Sequence, residues 1–328
     1  MPRPPRLHVQ NRPLMELCNR VCLGFDLLAP DDTFNALVVG ALAKAQERYP
    51  VAIHAGQVLS DHFHLLISPT DVEEQAGFMA VFTRHLSMIA GRRHGHLGPL
   101  FTERYRATEV VDVEAAQVAR LKYVLGNGCK EGLVASPLEW PGVPFAGAMS
   151  SGEPLKGIWV DREALHMARR RGELVDELDF AEEVELVLEP LPCWAHLSRR
   201  EHAEAVRGVI HAVEQETAAM HQVDGTLPAG RERVKKANPW TPRPLERRPC
   251  PWIYGVSKER VRELLKALAA KVAEYREASA RLRSGDRLVV FPPNCFPPAL
   301  SFVPLSPVPG VPVPGNPEIA GGAPPGRT

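Results

Sequence analysis

Along residues 14–125 the hydrophobic pattern switches between a period of two and a period near 3.6, and each switch marks a predicted element. Leu14 to Leu23 predicts a first strand. Asp31 and Asp32 offer N-caps to a helix with apolar positions Phe34, Leu37, Val38 and Leu42, which Pro50 ends. Val51 to Leu59 predicts a second strand, Ser60-Asp61 a turn, and His62 to Ser68 a returning third strand. Thr70 and Glu73 read as a capping box for a helix that carries Phe78, Val81, Phe82, His85 and Ile89 and stops near Gly91. Phe101 to Val111 predicts a fourth strand, and Asp112 then caps a helix running to about Leu125. Strand, helix, strand, strand, helix, strand is the order of an α+β fold of the ferredoxin-like (split β-α-β) type. It predicts an antiparallel sheet with helices on one face and the other face free to bind.

After Pro141 the chain changes character. Ser198 and Glu201 form another capping box, ahead of a stripe of Val206, Val209, Ile210, Val213 and Met220. Arg231 to Pro251 is basic and Pro-rich, as in a linker or extended arm. Val256 to Ser284 predicts a long helix, with Val261, Leu264, Leu265, Leu268, Val272 and Tyr275 at near-heptad spacing. That stripe suits docking on the N-terminal part better than pairing with another chain. The expected organisation is a domain over 1–150, a mainly helical C-terminal extension over 151–290, and a Pro/Gly-rich disordered tail over 291–328.

The chain has 328 residues and 45% hydrophobic content, enough to bury a substantial core. No run of about 18 apolar residues predicts a membrane span. The first residues lack the apolar segment of a secretory leader. Six scattered cysteines argue against a zinc ribbon or a disulfide scaffold and for a reducing cytoplasm. Cys18 and Cys22 fall in the first predicted strand and read as buried thiols. The net charge of +0 does not single out a nucleic-acid binder, but its distribution changes the picture. Arg92, Arg93, Arg104 and Arg106, with His94 and His96, face only Glu103 between residues 91 and 107, whereas Glu173 to Glu189 is acidic.

Candidate chemistry centres on Ser60 to Ile67. On a strand His62, His64 and Leu66 point one way, and Phe63, Leu65 and Ile67 the other. The second set is an unbroken core face, and the first sets two imidazoles side by side, as for gripping one divalent metal. On the helix ending at Leu125, Tyr123 falls off the apolar stripe of Val118, Leu121 and Leu125. Ala116, Ala119 and Arg120 lie behind it, a setting that suits a reactive phenol rather than a core aromatic. Asn127 follows at i+4 and shares that face if the helix continues; otherwise Gly126-Asn127-Gly128 is a left-handed helix end.

With these pieces, residues 8–146 resemble the His-hydrophobic-His tyrosine transposases of the IS200-like type, including the REP-associated tyrosine transposases. Leu59-Ser-Asp-His-Phe-His-Leu-Leu-Ile67 is similar to the family's Met-Pro-Asn-His-x-His-Leu-Leu. Arg92-Arg93-His94-Gly95 and Leu100-Phe101-Thr-Glu-Arg-Tyr-Arg106 are similar to its Arg-Arg-His-Gly and Leu-Phe-Gln-Gly-Arg-Tyr-Lys. Leu121 to Asn127, Lys130 to Val134 and Trp140-Pro141 follow in the family's order. The resemblance implies that Tyr123 is the catalytic nucleophile, and that His62, His64 and Asn127 hold Mg²⁺ or Mn²⁺. It further implies that hairpin-marked single-stranded DNA is cut through a 5′-phosphotyrosine and rejoined. Arg92, Arg93, Arg104, Arg106, Lys122 and Lys130 are expected to hold phosphates.

Tyr105 is expected to pack in the sheet rather than stack on a base. The sequence departs from the family at Ser60-Asp61 and at Gly126-Asn127-Gly128, which leaves the third ligand less firmly held and makes Asp61 either an extra ligand or a source of added local negative charge. The expected protein is a cytoplasmic single-strand DNA endonuclease and strand transferase, with monomer and homodimer both open. The alternatives are an inactive, domesticated module that binds structured single-stranded DNA, and an unrelated His-x-His hydrolase that would not need Tyr123.

Overall fold

The computed structural model describes residues 5–242 and 251–298, and Met1–Phe296 form one compact unit. The elements are β1 Leu14–Arg20, α1 Asp32–Arg48, β2 Ala52–Val58, β3 His62–Ser68, α2 Val72–His94, β4 Arg106–Val110, α3 Glu114–Leu125 and α4 Asn127–Lys130. They continue as α5 Phe145–Ser151, β5 Leu155–Val160, α6 Arg162–Arg170, β6 Ala181–Leu186, α7 Arg199–Asp224, α8 Arg231–Lys235, β7 Ile253–Tyr254 and α9 Lys258–Arg283.

The main sheet runs β2-β3-β1-β4-β7. Its first four strands are antiparallel in the predicted split β-α-β order, and β7 adds to β4 in parallel. Phe63, Phe78 and Phe82 on one side of the sheet meet ring to ring, and with Phe34 they sit in a single buried cluster. Deleting a buried ring of this kind costs about 3–5 kcal/mol.

Several element ends differ from the sequence reading, each because a local partner takes over. β1 stops at Arg20, and Cys22 lies in a short 3-10 turn rather than in the strand. The N-cap of α2 is Asp71, which accepts from the Glu73 and Glu74 amides, while Thr70 bonds Glu74. That helix runs past Gly91 to His94 and ends at Gly95, whose left-handed φ of 64° suits glycine. β4 covers only Arg106–Val110, and α3 starts after Val113, because Asp112 turns away to Arg260.

The C-terminal part is not helical alone: β5 and β6 form an antiparallel ribbon against α1. The fit there needs Gly40, where a Cβ would lie 2.0 Å from the Ile158 carbonyl oxygen. The Ser198–Glu201 capping box is present at the start of α7, and α9 docks through Leu264 and Leu268 on the main cluster. Residues 231–235 of the predicted linker are helical, and 243–250 lie outside the described residues. Of the predicted disordered tail, 291–298 are ordered, with Cys295 bridging to Leu7; 299–328 lie outside the described residues. No described helix is long and apolar enough to cross a membrane.

His54 occupies the irregularity in β2, where the register shifts between Ile53 and Ala55. Its Nδ1–H donates to the Glu189 carbonyl at 3.2 Å, and Nε2 accepts from the Ser68 hydroxyl at 2.8 Å. Both bonds suit the neutral ring, and burial lowers its pKa to about 4. The unfolded chain therefore takes up a proton first as pH falls through 6.5. Stability is expected to decline between pH 6.5 and 4 by roughly 3 kcal/mol, at about 1.36 kcal/mol per unit. Urea denaturation at pH 7 and pH 4.5 measures this. If His54→Gln leaves the pH dependence between those points as steep as in the wild type, the assignment is wrong.

Candidate metal and nucleophile site

Strand register brings the site together. Cys18 stands opposite His64 on one side and Arg106 on the other, and Gln57 pairs with His64 from β2. Residues directly opposite share a face, so one side of this sheet carries Glu16, Cys18, His62, His64, Gln57 and Arg106. This face is not free, contrary to the sequence reading. α3 lies across it, and His62 and His64 are only 4% and 6% exposed. A polar face can be covered only if its groups find partners.

Each imidazole has a carboxylate behind it. His62 Nδ1 bonds Asp61 Oδ1 at 2.6 Å, and His64 Nδ1 bonds Glu16 Oε1 at 2.7 Å. With Nδ1–H donated in both rings, both Nε2 lone pairs are left for something else. The rings lie edge to face with centroids 5.1 Å apart. His62 Nε2 faces the Asn127 amide nitrogen at 3.5 Å, and His64 Nε2 faces Cys18 Sγ at 3.8 Å. Asp61 is thus an orienting group, held in turn by Arg20 at 3.5 Å.

Tyr123 comes in from α3, half-buried, its ring edge-on to His64 at 5.7 Å. Arg120, one turn earlier, lies over the same ring at 4.2 Å, and Lys130 lies 5.2 Å from its centroid. Arg120 also forms a buried ion pair with Glu16, the carboxylate that holds His64. A single acid on β1 therefore ties the imidazole to the phenol's helix. Burial works against a charge on Glu16, yet its bonds and charges with His64 and Arg120 prevail and lower its pKa. Burial, aided by the Glu16 charge, raises the pKa of Tyr123.

Asn127 reaches His62 because α3 passes directly into α4. Gly126 has φ −81°, so the segment is not the left-handed helix end that the glycines suggested. Glycine is needed there for close packing: a Cβ on Gly126 would press on the Lys122 carbonyl at 2.9 Å, and one on Gly128 on the Trp140 ring at 2.9 Å. Trp140 is itself anchored by its indole N–H to the Val58 carbonyl at 3.0 Å. The backbone on both sides of Asn127 is thus closely packed, and Asn127 itself is buried.

The predicted phosphate-binding cations are scattered. Lys130 and Arg106 belong to the site face. Lys122 pairs with Glu216 of α7. Arg93 lies over Phe34 at 4.9 Å and pairs with Asp31, so it serves the fold. Arg92 is on α2, across the sheet, and Arg104 lies beside Tyr105. Tyr105 packs against the core and accepts from Gln75 at 3.3 Å. Sequence reasoning missed Glu16, Arg120 as a linking cation, and Gln57, whose amide nitrogen is buried without a partner among the described residues. The signal for Glu16 was available: an acid in the middle of a strand otherwise built from Leu14, Met15 and Leu17.

The donor chemistry fits a divalent cation. Histidine ligands with a carboxylate on the far nitrogen are the usual arrangement at metal centres. A half-turn of the Asn127 amide places its oxygen beside His62. Among the described residues no group of three or more His, Cys, Asp and Glu is placed to hold a metal, so the candidate set is the mixed one of His62, His64 and Asn127.

Fold and site define an α+β protein of ferredoxin-like topology, with a histidine pair and a tyrosine meeting on one sheet face. No family model matches the chain, and no curated protein matches it. A solved structure of a REP-associated tyrosine transposase bound to a REP hairpin is similar to it. The TM-score is 0.36 and the identity 18%, over 45% of this chain and 85% of that one.

Proposed function

We propose that this protein is a metal-dependent, single-stranded DNA nicking and rejoining enzyme of the transposase type, with Tyr123 as nucleophile. The observation that carries the reading is the convergence of Tyr123, from α3, and Asn127, from the α4 that follows it directly, on the His62–His64 pair. The motif order across residues 8–146 supports it independently.

The phenol attacks the scissile phosphorus, the bond to the 3′ oxygen breaks, and a 5′-phosphotyrosine and a 3′-hydroxyl result. One phosphodiester replaces another and the phenolic proton is balanced by that of the new hydroxyl, so resealing needs no nucleotide cofactor. Burial keeps Tyr123 protonated at neutral pH, which makes it a weak nucleophile on its own. Mg²⁺ or Mn²⁺ held by His62, His64 and Asn127 would polarise a phosphoryl oxygen and offset the charge that builds up there. Asp61 and Glu16 fix the two rings so that both Nε2 atoms stay available. Arg120 holds the Tyr123 ring in place, and Lys130, Arg106 and the Gln57 amide supply charge and a donor for phosphate oxygens.

A labelled hairpin oligonucleotide with single-stranded flanks tests this directly. With Mn²⁺ it is expected to become covalently attached to the protein, as seen on a denaturing gel, and EDTA is expected to prevent attachment. Retarded mobility on a native gel without any adduct would instead describe a module that binds but does not cut.

A further inference from the structure

A group of arginines lies across the sheet from Tyr123, on α2 and α6. α2 packs on the Phe63 side, where Phe63 and Phe82 meet at 5.2 Å, whereas His64 and Tyr123 meet on the other. His85 and Arg92 stand seven residues apart on one side of α2, and Arg162 and Arg169 do the same on α6. Trp159, near the end of β5, joins the two helices: its ring meets His85 edge-on at 4.6 Å, three residues before Arg162. Arg84 is exposed beside His85, and Arg169 is exposed on α6.

Arg162 links the two helices, within electrostatic reach of both His85 and Arg92. Arg84 and Arg162 both act on His85, and Arg162 and Arg169 both act on Arg92, opposed there by Glu177. Glu177 binds Arg162 at 2.6 Å, yet Arg162 Nη1 is buried with no hydrogen-bond partner among the described residues. Acids border the patch: Glu163 in the first turn of α6 is exposed, and Asp161 caps that turn by accepting from the amides of Glu163 and Ala164. A buried guanidinium nitrogen without an acceptor is costly, and like charges held together repel. An anion that brings several acceptor oxygens relieves that repulsion at the exposed Arg84, Arg92 and Arg169, and the planar guanidinium fork matches phosphate.

We propose that Arg84, Arg92, Arg162 and Arg169, beside Trp159, form a secondary site for the phosphate backbone of a single-stranded nucleic-acid flank. This rests on the reading of the chain as a protein that handles DNA, and not on its cleavage chemistry. β5 and α6 lie beyond the residues that resemble the transposases, so this chain's own extension supplies Trp159, Arg162 and Arg169, while Arg84 and Arg92 come from α2.

The test compares a hairpin with short flanks and one with long flanks, bound to wild type and to Arg84→Gln/Arg169→Gln, by fluorescence anisotropy over a salt series. Both arginines are exposed, and circular dichroism checks the fold. For the long-flanked DNA the slope of log K against log salt is expected to fall by about 1.4, at about 0.7 per lost single-strand contact. For the short-flanked DNA it is expected to change little. Equal slopes for the two proteins on the long DNA overturn the secondary site while leaving the Tyr123 chemistry standing. No binding of either DNA by wild type overturns both. Tight, variant-sensitive binding of polyglutamate with equal DNA slopes assigns the surface to an acidic polypeptide instead.

Discussion

Tyr123→Phe is expected to lower formation of the covalent protein–DNA adduct by at least ~10³-fold, the scale on which removing a nucleophile acts. Binding of the same hairpin is expected to persist. The substitution removes one oxygen and keeps the ring, so the contacts with Arg120 at 4.2 Å and with His64 at 5.7 Å have no reason to change. A thermal melt should therefore superimpose on that of the wild type, which separates lost chemistry from lost structure. The outcome also divides the competing readings. Cleavage that survives in the variant means that the histidine pair serves a hydrolase with a water nucleophile. Absence of adduct in wild type and variant alike, with retained binding, means that the chain recognises DNA without cutting it.

The parts of the fold legible in the sequence are those where pattern and packing agree. His62 to Ser68 alternates cleanly, and its apolar half is the face that Phe82 covers, so strand and core side both followed from period two. Boundaries were misplaced where a side chain had two competing partners: Asp112 reads as a cap yet turns to Arg260, and Asp71 caps where Thr70 was expected to.

In the candidate site, the local spacings carried most of the information. Tyr123 and Asn127 are four residues apart, and a short helix that restarts at Asn127, directly after Gly126, brings both to the His62–His64 pair. The covering of that sheet face could not be read, because α3 and the packing of α7 on α3 are long-range facts that no window contains. The same holds for Glu16, whose partners lie 48 and 104 residues away. A lone acid in a strand signals a buried ion pair without naming its members.

Glu16 is accordingly where the second large effect is expected. Glu16→Ala leaves Arg120 and His64 facing a buried gap without their carboxylate, and breaking a buried pair in this way costs about 3–5 kcal/mol. Glu16→Gln keeps the volume and can still accept from His64 Nδ1, so a smaller cost of about 1–3 kcal/mol is expected. The charge is what differs: it favours Nδ1 protonation and strengthens Nε2 as a ligand. Loss of such a group typically weakens metal binding by about 10–100-fold.

Titration of Mn²⁺ followed by electron paramagnetic resonance reads this without any DNA or turnover. Asp61→Asn should act in the same sense through His62. Acid titration gives an independent reading. The carboxylate is held below its usual range, so its pairing stabilises the fold at neutral pH and is lost as pH falls through the lowered value. Glu16→Gln should abolish that acid-side loss while starting from a lower stability at pH 7. If Glu16→Gln instead binds Mn²⁺ as the wild type does and keeps its acid-side slope, the carboxylate does not connect the histidine pair to the phenol's helix. Arg120 would then position Tyr123 alone.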